Sequence, residues 1–286
     1  MNVTAYSTGP LDSGPSPSDL AKLKEYYKHS EGYRVHLEAK GAAYFEQFVQ
    51  VVVASSSPSD RILDVGCGTG ESSREIMLRD RDVVGTDLSR LFMYPTDSAV
   101  RPPFVASDAS QLAFADHSFD VVCAMEFIEH VWPVSAVLSE MHRILKPSGR
   151  IVLMSPNLVS PLWPLMDVIL NRHFRPPLYN SYREAAAFFG EACRLTLKKM
   201  LSQEPQFLPR EPDLDHADGG GDYDAVYRSN ARDIILFLRK RGYEVDFAAA
   251  AHTSLRTRVH RSIARGFGSL WTSFLLKATK LTVSGL

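Results

Sequence analysis

At 286 residues and a formal net charge of -1, the chain is long enough for one sizeable α/β core. It has no global field to draw a polyanion, which leaves nucleic-acid binding to a local basic patch if to anything. Three widely spaced cysteines, Cys67, Cys123 and Cys193, give neither a disulfide framework nor a paired-cysteine zinc site; with no apolar run of ~20 residues and no basic-then-apolar leader, the expected compartment is the cytoplasm.

Residues 1–18, rich in Ser, Gly and Pro, read as a flexible tail. Apolar and aromatic residues then recur at helical spacing (Leu20, Leu23, Tyr26, Tyr27, later Ala42, Phe45, Val49), which predicts two helices within 19–58, with Asp19 as N-cap. From Arg61 the pattern changes to short apolar runs, Ile62–Val65, Val83–Thr86, Phe104–Ala106, Phe119–Ala124 and Ile151–Met154, alternating with helical stretches. Buried parallel strands read this way because both faces are covered. The alternation predicts a mostly parallel sheet wound by right-handed crossovers over 59–155, with ligands beyond the carboxyl ends of its strands. After Ser155 it stops. Residues 156–229 read as a cap or substrate insertion with helices near Leu162–Leu170 and Glu184–Leu201, and 230–286 return to the core through a helix at 231–241, Gly242 as C-cap and a strand at Tyr243–Phe247.

The strand Leu63-Asp64-Val65 runs directly into Gly66-Cys67-Gly68-Thr69-Gly70 and then a helix from about Glu71. Glycines there permit a tight turn and close approach of backbone to a ligand. The spacing differs from GxGxxG, and the Lys and Ser/Thr of a phosphate loop are absent. The second strand ends on Asp87, about twenty residues beyond the glycines, where a carboxylate can accept from both hydroxyls of a ribose. The third ends at Asp108, placed to accept from an adenine amino group. Each acid alone is an ordinary cap or surface charge; the three signals in register point to a nucleoside-bearing ligand.

These residues together resemble the class I S-adenosylmethionine (SAM) dependent methyltransferases, over roughly Ser59 to Ser155. The branch resembled has a fourth strand like Phe119-Asp120-Val121-Val122 and a fifth that follows Leu145-Lys146-Pro147-Ser148-Gly149-Arg150. The resemblance implies a Rossmann-like, seven-stranded, mostly parallel α/β sheet flanked by helices, its last strand antiparallel, with the helical cap after the fifth strand and the N-terminal helices covering SAM. It implies that Asp64 orients the methionine amino group and that Gly66, Gly68 and Gly70 line the carboxypropyl group and ribose. The cofactor set is completed by Cys67, Asp87, Leu88, Asp108, Ala109 and Met125.

Methyl transfer from a sulfonium is a direct displacement, so the protein chiefly aligns the acceptor and, for weakly acidic acceptors, removes a proton. At the fourth strand's end stand Glu126-Phe127-Ile128-Glu129-His130. His130 is the candidate base, its unperturbed pKa near neutrality; Glu126 and Glu129 are its catalytic companions. This run resembles the Glu-x-x-Glu-His signature of quinone-biosynthesis O-methyltransferases and small-RNA 2′-O-methyltransferases, which implies that Glu126, Glu129 and His130 can hold a divalent metal; this chain also places His173 in the cap after Ser155-Pro156-Asn157, where it could supply a fourth ligand. The alternative is that Glu129 and His130 cap the strand-to-helix turn.

The expected function is methyl transfer to O or N of a small or medium-sized metabolite, such as a sugar, a quinone or a secondary-metabolite intermediate. The alternatives are a lipid-linked acceptor at a membrane surface, or a non-catalytic SAM-binding subunit. Trp163, Phe174, Tyr179, Tyr182, Phe188 and Phe189 offer aromatic surface for an acceptor, though core packing accounts for them as readily. Tyr26, Tyr27 and Arg34 could close over the cofactor. The acidic, Gly-rich loop Asp213–Asp224 lacks EF-hand spacing and reads as a mobile solvated lid. The stretch from Arg256 reads either as a basic amphipathic helix making peripheral membrane contact or as a helix packed on the sheet, followed by a strand at Thr272–Lys280.

Overall fold

The structure, a computed structural model, describes residues 15–93, 101–162, 182–215, 217, 222–249 and 273–282. The expected helix at 162–170 beyond its first residue, His173, and the basic stretch 256–271 lie outside them.

The N-terminal region folds as three helices where two were expected: α1 (Pro17–His29), α2 (Glu31–Glu38) and α3 (Ala42–Ala54). Ser16, not Asp19, is the first N-cap. Its hydroxyl accepts from the Asp19 N–H at 3.2 Å while the Asp19 carboxylate accepts from the Ser16 N–H, a reciprocal capping box. The additional helix is α2, which Ser30 sets off: it ends α1 and caps α2 by accepting from the Tyr33 N–H at 3.0 Å.

Seven strands follow: β1 (Arg61–Val65), β2 (Asp82–Asp87), β3 (Phe104–Ala106), β4 (Phe119–Met125), β5 (Leu145–Pro156), β6 (Tyr243–Ala249) and β7 (Ser273–Lys280). They form one sheet of order β3-β2-β1-β4-β5-β7-β6. Strands β1 to β5 pair in parallel, and β7 lies between β5 and β6 antiparallel to both. This is the Rossmann-like sheet with a reversed last strand that the resemblance implied.

The two faces are covered separately. Val121, Cys123 and Met125 of β4 face Phe48, Val49 and Val52 of α3 and Ile76 of α4 (Glu71–Met77), whereas Val122 and Ala124 face the apolar sides of α5 (Val134–Ile144) and a later helix at Ala231–Arg239. Period-two alternation with apolar residues on both sides is what makes these strands continuous apolar runs in sequence. Between β5 and Ala231–Arg239 lies a long helix, α6 (Tyr182–Leu201), so the helix at Ala231–Arg239 is α7. The packing turns the carboxyl ends of β1 to β5 toward one edge, with α1 to α3 laid over it. No helix among the described residues is long and apolar enough to cross a membrane.

Candidate functional site

The turn after β1 is built by backbone constraint. Gly66 has φ +69°, and a Cβ there would overlap the Phe127 ring, so only glycine fits. The N–H groups of Gly66 and Cys67 donate to the Thr86 carbonyl at 2.8 and 3.1 Å, which pins the turn to β2. Gly70, φ +80°, stands at the N-cap position of α4 without a side-chain cap. The Asp87 carboxylate accepts from the Gly68 N–H and the Ser89 N–H, both at 3.0 Å, so the turn and the second strand end hold each other. Burial raises the Asp87 pKa against the opposing effect of those bonds.

Asp64 departs from the expected role. It is 1 % exposed and is not on the cavity wall; Ser72, which is on the wall, and Ser73 both donate to its Oδ2 at 2.6 Å. Burial pushes its carboxyl up to about 6, against the hydroxyl bonds and a Cys123 thiol contact. Asp64 thus acts on the wall through Ser72. Gly70 also lies off the wall.

The other expected cofactor residues, with Glu126 and His130, line one cavity of about 490 Å³. One half is walled by Gly66, Cys67, Gly68, Asp87, Leu88, Asp108 and Ala109, and Met125 also lines the cavity. Asp108 accepts from the Lys24 ammonium at 2.6 Å and from the Ser110 hydroxyl at 2.7 Å. Its burial favours the neutral acid, but the lysine and the serine prevail and hold its pKa below the usual aspartate value. The α1 residues on the cavity, Leu20, Leu23, Lys24 and Tyr27, are one helical face at i, i+3, i+4 and i+7. Tyr27 therefore covers the cavity, as anticipated. Arg34 does not; it pairs with Glu31 and Glu38 on the surface of α2.

The other half is ionisable. Glu126 adopts φ +48°, an unusual backbone for a non-glycine residue, at the carboxyl end of β4. Its carboxylate accepts from Tyr44 of α3, with the Lys40 ammonium 3.3 Å away. His130 is 12 % exposed at its side chain; Nδ1 lies 3.2 Å from Asp224 Oδ2, and Nε2 lies 3.8 Å from Glu129 Oε1. Tyr27 donates to the same Asp224 oxygen at 2.7 Å. Burial by itself would lower the His130 pKa, but Asp224, then Glu129 and Asp222, raise it to about 9, well above the near-neutral value expected from sequence. Burial raises Glu129 to about 8, partly offset by His130. Glu129 is fully buried and off the wall: Oε2 accepts from Ser155, and its carbonyl accepts from the Val226 and Tyr227 N–H groups.

Two of the groups around His130 were missed. Asp222 and Asp224 belong to the loop read as a solvated lid, yet both line the cavity and Asp224 is fully buried. The Asp222–Asp224 end turns inward because the Ala225-Val226-Tyr227 run after it is buried and the Val226 and Tyr227 N–H groups donate to the Glu129 carbonyl. That apolar run was the available sequence signal.

The metal set implied by resemblance changes accordingly. Ligand atoms of Glu129, His130 and Asp222 lie within 4.8 Å of one another, and Glu129 Oε1 is buried with no hydrogen-bond partner. Two carboxylates and an imidazole with an unsatisfied oxygen fit a divalent cation. Glu126 is engaged with Tyr44 and Lys40 and is not in that group.

A glycine turn braced by Asp87 and a reversed last strand give the frame that the resemblance to class I SAM-dependent methyltransferases implies. The family described as "Methyltransferase domain" matches residues 63–153. The demethylmenaquinone methyltransferase of Beutenbergia cavernae is 43% identical over 151 residues, 52% of this chain and 55% of that protein. The 27-O-demethylrifamycin SV methyltransferase of Amycolatopsis mediterranei is 36% identical over 102 residues, 33% of this chain and 38% of that protein. The chain thus spans about half the length of the first of these relatives and less of the second. In fold it resembles the magnesium protoporphyrin IX methyltransferase (ChlM) of Synechocystis PCC 6803 with bound SAH, at a TM-score of 0.54 and 15% identity over 92% of this chain and 99% of that one.

Proposed function

We propose that the protein transfers the methyl group of SAM to an oxygen or nitrogen of a small or medium-sized, ring-bearing metabolite held against Glu126 and His130. The observation that carries this reading is the continuity of the cavity, which runs without a wall from Asp108 and Asp87 to Glu126, His130, Asp222 and Asp224. Donor and acceptor would share one space, as a direct displacement requires. Where the acceptor is a hydroxyl, its proton passes to the neutral form of the His130 imidazole; with a pKa of about 9 that form is the minority near neutral pH, so transfer quickens as pH rises toward 9, and the Asp224 carboxylate stabilises the imidazolium that results. Tyr27 positions Asp224 rather than touching the acceptor's reacting atom. A divalent cation held by Glu129, His130 and Asp222 would take up the imidazole and supply Lewis-acid polarisation of that hydroxyl in place of base catalysis by His130.

Tyr27, Tyr33, Phe92 and Trp132 on the wall give flat apolar surface for a ring. The relatives named for demethylmenaquinone and demethylrifamycin support an acceptor of the quinone or ring-hydroxyl type. We assign acceptor selection to the helices within 19–58 and to residues 156–229, which contribute Tyr27, Tyr33, Asp222 and Asp224. The test is incubation with methyl-deuterated SAM and panels of hydroquinones, ring hydroxyls, sugars and ring amines, read by mass spectrometry for a labelled methyl. A labelled product supports the reading. Stoichiometric SAM binding by calorimetry, with no product from any panel, would replace it with a non-catalytic SAM-binding subunit.

A further inference from the structure

Among the described residues, five of the eight exposed large apolar side chains lie on one helix. On α6, Tyr182, Phe189, Leu197, Met200 and Leu201 are 67%, 43%, 58%, 43% and 73% exposed. At 100° per residue, Tyr182, Phe189, Leu197 and Met200 fall within one arc of the helix, and Leu201 lies at its edge. At 1.5 Å per residue the strip is about 27 Å long. The exposed basic residues Arg183, Arg194 and Lys198 border the arc on the same side as Leu201. No acidic residue occupies any position on the arc or this border.

The opposite side of α6 is anchored. Leu195 and Thr196 are buried, the Thr196 hydroxyl donates to the Val159 carbonyl at 3.0 Å, and the buried Lys199 pairs with Asp233 of α7. Val159 lies three residues beyond Pro156, which lines the cavity. The outward face is therefore fixed in orientation and joined to the chain leaving the cavity's edge.

We propose that this face of α6 is a docking surface for an anionic lipid bilayer. The apolar strip enters the headgroup boundary, and the basic border meets the negative surface. A single apolar strip, bordered along one side by Arg183, Arg194 and Lys198 and rigidly held, is the chemistry of an interfacial helix. An apolar face covered by a second copy of the chain would have no need of a border free of acids. The inference is independent of the methyl-transfer reading, since vesicle binding requires neither SAM nor an acceptor. It also differs from membrane contact through the stretch beginning at Arg256.

The experiment is co-sedimentation of the full chain with phosphatidylcholine vesicles, with and without 30–40% phosphatidylglycerol (roughly the charge density at which polybasic binding is measurable). The wild type is expected to sediment with the anionic vesicles and to be released at high salt. Leu197→Glu with Leu201→Glu abolishes sedimentation, while Arg194→Ala and Lys198→Ala each weaken partitioning about fivefold. Because these positions are exposed, their melting curves match the wild type; circular dichroism checks this. Equal binding to neutral and anionic vesicles, no binding by the wild type, or full binding by the double glutamate variant would each overturn the proposal. So would a dimer by sedimentation velocity that the double glutamate variant dissolves, because a second copy would then own the face.

Discussion

Replacing Asp64 by Asn isolates the electrostatic cost built in behind the cofactor turn. The carboxyl is 1 % exposed, and burial raises its pKa from the ordinary aspartate range to about 6. The folded state therefore favours the neutral acid. The stabilisation that comes with protonation is fully present below the unfolded-state pKa of about 4 and is lost as pH rises through about 6. A two-unit shift corresponds to about 3 kcal/mol between those limits, of which roughly half is lost between pH 5 and pH 8. Asparagine does not titrate, and its carbonyl can still accept from the Ser72 and Ser73 hydroxyls. Urea unfolding followed by circular dichroism should be run on both proteins in parallel across pH 5 to 8. The stability of the wild type relative to Asp64→Asn is expected to fall by about 1.4 kcal/mol over that window, with unchanged m-values. The comparison cancels the other titrating groups, Glu129 among them. A difference that stays constant with pH, or grows in favour of the wild type as pH rises, would refute the assignment of Asp64 as a desolvated anchor.

Three further outcomes follow from the same geometry. Gly66→Ala places a side chain at φ +69° and into the Phe127 ring. It should cost at least about 1–2 kcal/mol from the left-handed backbone alone and weaken SAM binding at least tenfold by calorimetry; near-wild-type affinity would mean the turn tolerates a Cβ. His130→Ala should keep SAM affinity within about threefold while lowering methyl transfer by about 10²-fold or more, and a parallel loss of SAM affinity would reassign His130 to structure. Manganese or magnesium should raise the melting temperature of the wild type and of Glu126→Gln but not of Asp222→Asn, with chelator reversing the shift; a shift retained in Asp222→Asn would remove that residue from the metal set.

What could be read in the sequence follows from how far apart the cooperating residues lie. The strands and the glycine turn were legible because each is a local requirement: doubly covered strands need apolar runs, and Gly66 needs a positive φ beside Phe127. Asp87 and Asp108 were legible because they close strands whose direction was already fixed. The antiparallel insertion of β7 came from resemblance alone, since a strand's partner is not written in its own residues. Lys24 on Asp108 and Tyr27 on Asp224 join positions 84 and 197 apart in sequence. No periodicity encodes such pairs. The reading of Asp213–Asp224 as a solvated lid misses the inward turn of Asp222 and Asp224 for a related reason, because acidity and glycine content describe a loop equally well whether or not the run after it is buried.

The position of α1 joins the two halves of the site. Leu20, Leu23, Lys24 and Tyr27 share one helical face, so a single element touches Asp108, just beyond β3, and Asp224, which pairs with His130. A donor entering the first half meets Lys24 on Asp108, and any displacement of α1 that this requires also moves Tyr27 relative to Asp224. The Tyr27 bond to Asp224 and the ion pair of Asp224 with His130 act in series. The orientation of the imidazole is thereby tied, through one rigid helix, to whether the cofactor half of the cavity is closed. Loss of the Tyr27 hydroxyl should consequently affect transfer more than donor binding, although Tyr27 itself reacts with neither.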